Sequence, residues 1–172
     1  MKNKILNTIL KEGETLIHLE GMKSFTIETL ASILSISKKT IYKFFPTKEY
    51  LIKKIIIFRA DKISMQCKII MKNESDPIAQ FIKIIDIIIK STNKIDLNRL
   101  IYIKTRYPEI WDIVEKYRLE RIDTFTKIFL LAKEKGYLRK SLDPVFSAKL
   151  FVNILNSSIQ PDFLLKNEIN FS

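Results

Sequence analysis

Apolar residues recur at helical spacing along most of this chain. In residues 3–20, Ile5, Ile9, Leu16 and Leu19 lie near one helical face, with Leu6, Leu10 and Ile17 widening the stripe, and Gly21 ends the helix they predict. Thr26 is placed to cap a second helix over 27–34, with Leu30, Ala31 and Leu34 on its buried side. After a break at Ser35-Ile36, Ser37 can cap a third, short helix running to about Phe44 and stopped by Pro46. Thr47 is the next cap, and Glu49 in the first turn favours a long helix from Lys48 to about Met71.

Beyond Asn73-Glu74-Ser75-Asp76-Pro77, residues 78–91 repeat Ile78, Phe81, Ile82, Ile85 and Ile88 or Ile89 at helical spacing, and a shorter helix follows over 95–105. Pro108 opens a helix that continues to Lys135, with Gly136 as its stop. Asp143-Pro144 starts a final helix through about Ile159, Pro161 terminates it, and the last eleven residues read as a tail. With three glycines and five prolines in 172 residues and no internal repeat, the pattern predicts an all-α fold. No glycine or proline interrupts the Lys48 helix, so the chain divides rigidly at that helix into residues 1–47 and residues 48–172.

The net charge of +11 draws polyanions, whether nucleic acid, anionic membrane or acidic ligands. Residues 1–50 hold eight lysines and five acids, so most of the surplus lies further on, and a general lysine bias accounts for much of it. Cys67 and His18 stand alone as the single cysteine and histidine, which rules out a disulfide or a Cys/His zinc site within one chain and fits a reducing cytoplasm. No apolar run approaches the roughly 20 residues needed to cross a bilayer, since Arg59 follows Ile55-Ile56-Ile57-Phe58 and Asp86 and Lys90 bracket Ile87-Ile88-Ile89. No signal peptide is expected. No phosphate loop, dinucleotide fingerprint, catalytic dyad or metal-spaced cluster is visible, and acids such as Asp112/Glu115 and Glu120/Asp123, mixed with Lys116, Arg118 and Arg121, read as a solvated, salt-bridging helix surface. The expectation is therefore a protein that is not an enzyme and needs no cofactor or metal.

The two short helices over about 26–45 are each too short to persist alone and make sense as a helix-turn-helix braced by the first helix. From Ser37 to Lys48 the chain carries Lys38, Lys39, Lys43 and Lys48, no acid, and hydrogen-bonding Ser37, Thr40, Tyr42 and Thr47 among apolar Ile41, Phe44 and Phe45. Such a helix buries Ile41 and Phe45 and offers the rest to a phosphate-lined groove. Taken alone, those lysines would be an ordinary solvated cationic face.

Thr26-Ile27-Glu28-Thr29-Leu30-Ala31, followed by Ser37-Lys38-Lys39-Thr40-Ile41-Tyr42-Lys43-Phe44-Phe45-Pro46-Thr47-Lys48-Glu49-Tyr50-Leu51, resembles the tetracycline-repressor (TetR) family over roughly residues 3–58. The Gly136-Tyr137-Leu138-Arg139 turn before Leu142-Asp143-Pro144 resembles the approach to that family's penultimate helix. The resemblance implies a transcriptional regulator, a ligand-responsive repressor, that binds double-stranded DNA at a palindromic operator as a homodimer and releases it when a small effector enters the C-terminal domain. It further implies that Lys38, Lys39, Thr40 and Lys43 face bases or phosphates, that Tyr42 and Lys48 contact phosphates, and that Thr26 and Ser37 cap helices whose N–H groups point at the DNA backbone. Two departures stand out. Ser35 occupies the turn where the family has glycine, implying about 1 kcal/mol of strain or a recast turn. Only one of the family's two closing dimerisation helices is visible, so the chain lacks the last one.

For the second domain, Met65, Phe81, Ile85, Tyr102, Trp111, Phe125 and Phe129 are candidate ligand-pocket residues whose default role is core packing, and Arg106, beside Tyr107 and Pro108, is the first polar candidate. Single residues such as His18 and Cys67 read as packed side chains rather than sensors. The alternatives are a helical small-molecule-binding protein with little specific DNA binding, and a basic amphipathic protein at a membrane surface, whose exposed apolar faces the packing pattern disfavours.

Overall fold

The computed structural model describes residues 2–92 and 97–168, and among these the chain is built of nine α-helices without a strand. They are α1 (Lys2–Glu20), α2 (Ile27–Ile33), α3 (Lys38–Tyr42), α4 (Lys48–Asn73), α5 (Pro77–Thr92), α6 (Leu97–Arg106), α7 (Pro108–Glu134), α8 (Pro144–Ser157) and α9 (Pro161–Lys166). The all-α expectation holds. The expected start of the sixth helix at residue 95 lies outside the described residues.

The hydroxyl caps form where the sequence places them. Thr26, Ser37 and Thr47 accept the backbone N–H of Thr29, Thr40 and Tyr50 at 3.0, 3.1 and 3.0 Å, and Asp143 accepts that of Phe146 at 2.6 Å. At the end of α2 the N–H of Ile36 reaches the Ala31 carbonyl (3.0 Å) and that of Ser35 the Ser32 carbonyl (3.1 Å). The end of α7 repeats this pair, Tyr137 to Ala132 (2.8 Å) and Gly136 to Lys133 (3.1 Å). Both ends are Schellman turns that need a left-handed residue, which is Gly136 in one (φ 78°) and Ser35 in the other (φ 52°). The turn after α2 is thus not recast; a serine adopts the conformation glycine favours.

Helices α2 and α3, seven and five residues long, owe their stability to tertiary burial. Phe25, Leu30, Ile41, Leu51 and Ile52 are essentially inaccessible and pack with Ile9, Leu16 and Ile17 of α1. Tyr107 and Ile110 join the same cluster, so the start of α7 is packed onto the helix-turn-helix core. A second core unites Ile84 and Ile88 of α5, Phe125 and Ile128 of α7, and Ala148 and Val152 of α8. Between them runs α4, unbroken over 26 residues.

The tail expected after Pro161 is a correction. Pro161 does not merely stop α8; it takes the first turn of α9, a position where its missing N–H costs nothing. Leu164 is fully buried against Leu100 and Trp111, and Lys104 Nζ lies 2.7 Å from Asp162 Oδ2, so α9 is held on α6 and α7.

Candidate nucleic-acid interface and internal cavity

Helix α3 buries Ile41 and leaves Lys38, Lys39 and Tyr42 exposed, with exposed Lys43 immediately after it. Thr40, partly buried, has its hydroxyl 2.9 Å from Ser37 Oγ, and Thr26 Oγ1 lies 2.7 Å from Thr29 Oγ1. Lys38 Nζ sits 2.8 Å from Glu28 Oε1. That hydrogen bond, with its accompanying charge attraction, holds the Glu28 carboxyl below its ordinary range and the Lys38 ammonium above its own. An exposed pair of this kind contributes little to stability and can exchange for a stronger anion. Lys48 is half-buried, its ammonium 5.9 Å from the centre of the Phe25 ring. The face formed by α3 and the start of α4 therefore presents cations and hydroxyl groups held by a rigid apolar core.

Behind this unit lies a cavity of about 420 Å³. Its walls are the end of α1 and the turn after it (Ile17, His18, Gly21, Met22), α4 (Ile56, Arg59, Ile63, Cys67), α6 (Arg99, Tyr102, Ile103) and α7 (Trp111, Val114, Arg118, Arg121). The volume suits a small organic ligand. Trp111, Val114, Arg118 and Arg121 follow one another at three- and four-residue steps and so form a single stripe of α7 facing the space. Arg118 lies 5.1 Å over the Trp111 ring and 2.5 Å from Glu115 Oε1, which also accepts from Gln160 Nε2 at 2.9 Å. Arg59 donates to the Ser91 carbonyl. Arg121 makes no ion pair among the described residues, and its Nη1 is buried without a hydrogen-bond partner. Burial disfavours the charged form of all three guanidiniums, and at Arg121 the like charge of Arg118 adds to the effect. Burial pushes the Cys67 thiol up, away from reactive thiolate.

The model of the bacterial regulatory proteins of the tetR family matches residues 9–55, which span most of α1, all of α2 and α3, and the first turns of α4. Over residues 9–55 the chain is similar to the TetR family. Among solved structures, the fold is similar to a transcriptional regulator from Cytophaga hutchinsonii, with a TM-score of 0.76 and 17% identity over 90% of this chain and 80% of that one. A TetR transcription regulator from Haloarcula marismortui superposes with a TM-score of 0.71 and 11% identity over 94% of this chain and 86% of that one. For a TetR/AcrR-family regulator from Thermobifida fusca the values are 0.64, 15%, 94% and 92%. At such identities these likenesses speak for the fold alone. Among curated proteins, none matches the chain by sequence. No helix among the described residues is long and apolar enough to cross a membrane.

Of the eight residues expected at DNA, seven lie on or beside α3 and at the start of α4, and Thr26 caps α2. The eight pocket candidates do not share one place. Tyr102 and Trp111 line the cavity. Phe81, Phe125 and Phe129 instead form an aromatic cluster with Phe151, ring centres 4.9–6.4 Å apart, in the second core, where Ile85 also packs. Met65 is 60% exposed, and Arg106 is exposed beside the Tyr107 ring. The reading of Arg118 and Arg121 as solvated surface is a correction, since Arg118 is only 5% exposed and Arg121 lines the cavity. Their positions on the stripe begun by Trp111 and Val114 were the available signal. The contribution of residues 17–24 from the first domain carried no such signal, because it arises only when α1 and α6 meet. There Arg99 donates to the carbonyls of His18 (3.1 Å) and Leu19 (3.3 Å).

Proposed function

We propose that this protein is a ligand-responsive repressor that binds a palindromic operator in the cytoplasm as a homodimer, through residues 1–47, and takes its effector within residues 48–172 and the adjoining end of α1. One observation carries the coupling: the cavity is walled on one side by the last turn of α1 and on the other by α4, α6 and α7. A ligand there would touch the DNA-binding unit directly. If its contacts differ between two placements of α1 and α4, it shifts the population between them and changes the spacing of the paired α3 helices. A coupling of about 1–3 kcal/mol would change operator affinity 5–150-fold.

In this reading Lys39, Thr40 and Lys43 read bases or phosphates, Tyr42 and Lys48 hold phosphates, and Lys38 exchanges Glu28 for a phosphate. The capped starts of α2 and α3, at Thr26 and Ser37, turn N–H groups toward the DNA backbone. The dimer contact is the outer face of α8.

Selection from a random double-stranded DNA pool at near-physiological salt tests the reading, with enrichment of a palindrome expected. On the selected site, Lys48→Ala and Tyr42→Ala should weaken binding to all sequences, and Lys48→Ala should lower the salt slope by about one phosphate contact. Changes at Lys39 or Lys43 should also alter base preference. Weak, salt-sensitive binding with no enriched sequence would overturn operator recognition.

A further inference from the structure

We infer that the cavity takes a monoanionic amphiphile, an apolar body ending in one carboxylate or similar anion, with Arg121 as its counter-ion. This deepens the reading of the cavity as an effector site and rests on it. Four guanidiniums, Arg59, Arg99, Arg118 and Arg121, line a space whose other walls are largely apolar, among them Ile56, Ile63 and Val114, with Glu20 and Glu120 as its acidic lining residues. Arg99 is engaged by the carbonyls of His18 and Leu19. Of Arg59, Arg118 and Arg121, only Arg118 has a carboxylate at ion-pair distance among the described residues, Glu115 at 2.5 Å. Arg59 is satisfied in part by a neutral carbonyl, that of Ser91. Arg121 has a buried Nη1 with no acceptor and Arg118 as a like-charged neighbour.

A buried charge is tolerated when it is paired and hydrogen-bonded, and among the described residues Arg121 has no ion-pair partner and its Nη1 no acceptor. The side chain also cannot escape its charge as a lysine could, because a guanidinium stays protonated in proteins. An anionic head entering the cavity would supply the missing acceptor as a charge-assisted, potentially two-pronged hydrogen bond. It would also offset the mutual repulsion of Arg118 and Arg121. A neutral ligand would leave Arg121 unpaired, and a cation would add to the repulsion. The apolar walls favour burial of a hydrocarbon body in the remaining volume.

Trp111, the only tryptophan in the chain, lies on the cavity wall and reports binding by its fluorescence. The full chain is titrated with decanoate, decyl sulfate, decanol and decyltrimethylammonium, each below its micelle concentration. Both anions should bind about tenfold or more tighter than decanol, the scale of a hydrogen bond to a charged group, and the ammonium should not bind. Arg121→Gln should bring decanoate down to the affinity of decanol, and Arg121→Lys should keep part of the preference. If Arg121→Gln fails to fold, the wild-type order of the four probes still decides. Equal affinity for decanoate and decanol, a preference for the ammonium, an unchanged preference in folded Arg121→Gln, or no binding by any probe would each overturn the inference. Operator affinity is measured on the same samples. Anion binding that leaves operator affinity unchanged upholds the ligand class and sinks the ligand-responsive reading instead.

Discussion

Ser35 shows how much a single backbone angle can carry. It holds φ 52° at the left-handed position of a Schellman turn, where the otherwise matching turn after α7 uses Gly136. The strain is local, because the turn keeps both hydrogen bonds, at 3.0 and 3.1 Å against 2.8 and 3.1 Å at Gly136. Ser35→Gly should therefore raise stability by about 0.5–1 kcal/mol, while Ser35→Val should lower it, since β-branched side chains tolerate positive φ worst. Urea denaturation of the three proteins checks this, and a Gly variant less stable than wild type would mean the serine is not strained. Tyr117 makes a second residue-scale case. Its hydroxyl donates to Asp61 Oδ1 at 2.8 Å, and burial together with that carboxylate moves its pKa from 10 up to about 12. The folded state thus favours the neutral phenol. Its contribution is fully present below pH 10 and is lost as pH rises from 10 through about 12. Tyr117→Phe should accordingly show a shallower loss of stability across that window, with the highest tyrosinate titration step removed from the absorbance curve. An unchanged titration curve would assign the step to another tyrosine.

Among the helices, most of what could be read from the sequence was local. Caps at Thr26, Ser37, Thr47 and Asp143 and stops at Gly21 and Gly136 are decided by the few residues around them, and the structure has them all. Pro161 was the exception, because a proline that follows one helix can equally open the next. The choice rested on Leu164 finding a buried place between α6 and α7, which no local pattern states. The α1–α4 crossing is similar. Gly13 sits in the middle of α1, where glycine is a poor helix former, and its reason lies elsewhere: a Cβ there would come within 2.5 Å of Ile55 Cδ1. The two helices approach closely at a side chain that is itself buried. Gly13→Ala should be tolerated at modest cost because the end of Ile55 can swing aside. Gly13→Leu should destabilise by about 1–3 kcal/mol through overpacking. Thermal melts distinguish the two, and a Leu variant as stable as wild type would show that α1 and α4 can separate without cost.

At the scale of the whole molecule, the candidate interface was more legible than the cavity. The residues expected at DNA fall within one short stretch of sequence, from the cap of α2 to the start of α4, so spacing alone groups them, whereas the cavity draws on α1, α4, α6 and α7, whose meeting is a property of packing. The expected dimer contact belongs to this scale too. Helix α9 packs on α6 rather than extending α8, so α8 keeps an open face: Phe146, Leu150 and Ile154, four residues apart, are 65%, 50% and 58% exposed. A rival face exists on α5, where Ile78, Ile82 and Ile89 are 48%, 60% and 60% exposed. The two differ in charge. Lys149 is the one charged residue on α8, whereas α5 carries Lys83, Asp86 and Lys90. Interface centres are depleted in charge, which favours α8 as the contact between copies. Leu150→Glu would place two like charges across a two-fold contact and should yield a monomer in analytical ultracentrifugation, while Ile82→Glu should remain dimeric. Because two linked recognition helices bind far more tightly than one, the Leu150→Glu monomer should hold a full palindromic site no better than a half-site. A Leu150→Glu protein that stays dimeric, paired with an Ile82→Glu protein that dissociates, would move the interface to α5 and the two α3 helices to a different separation along the DNA.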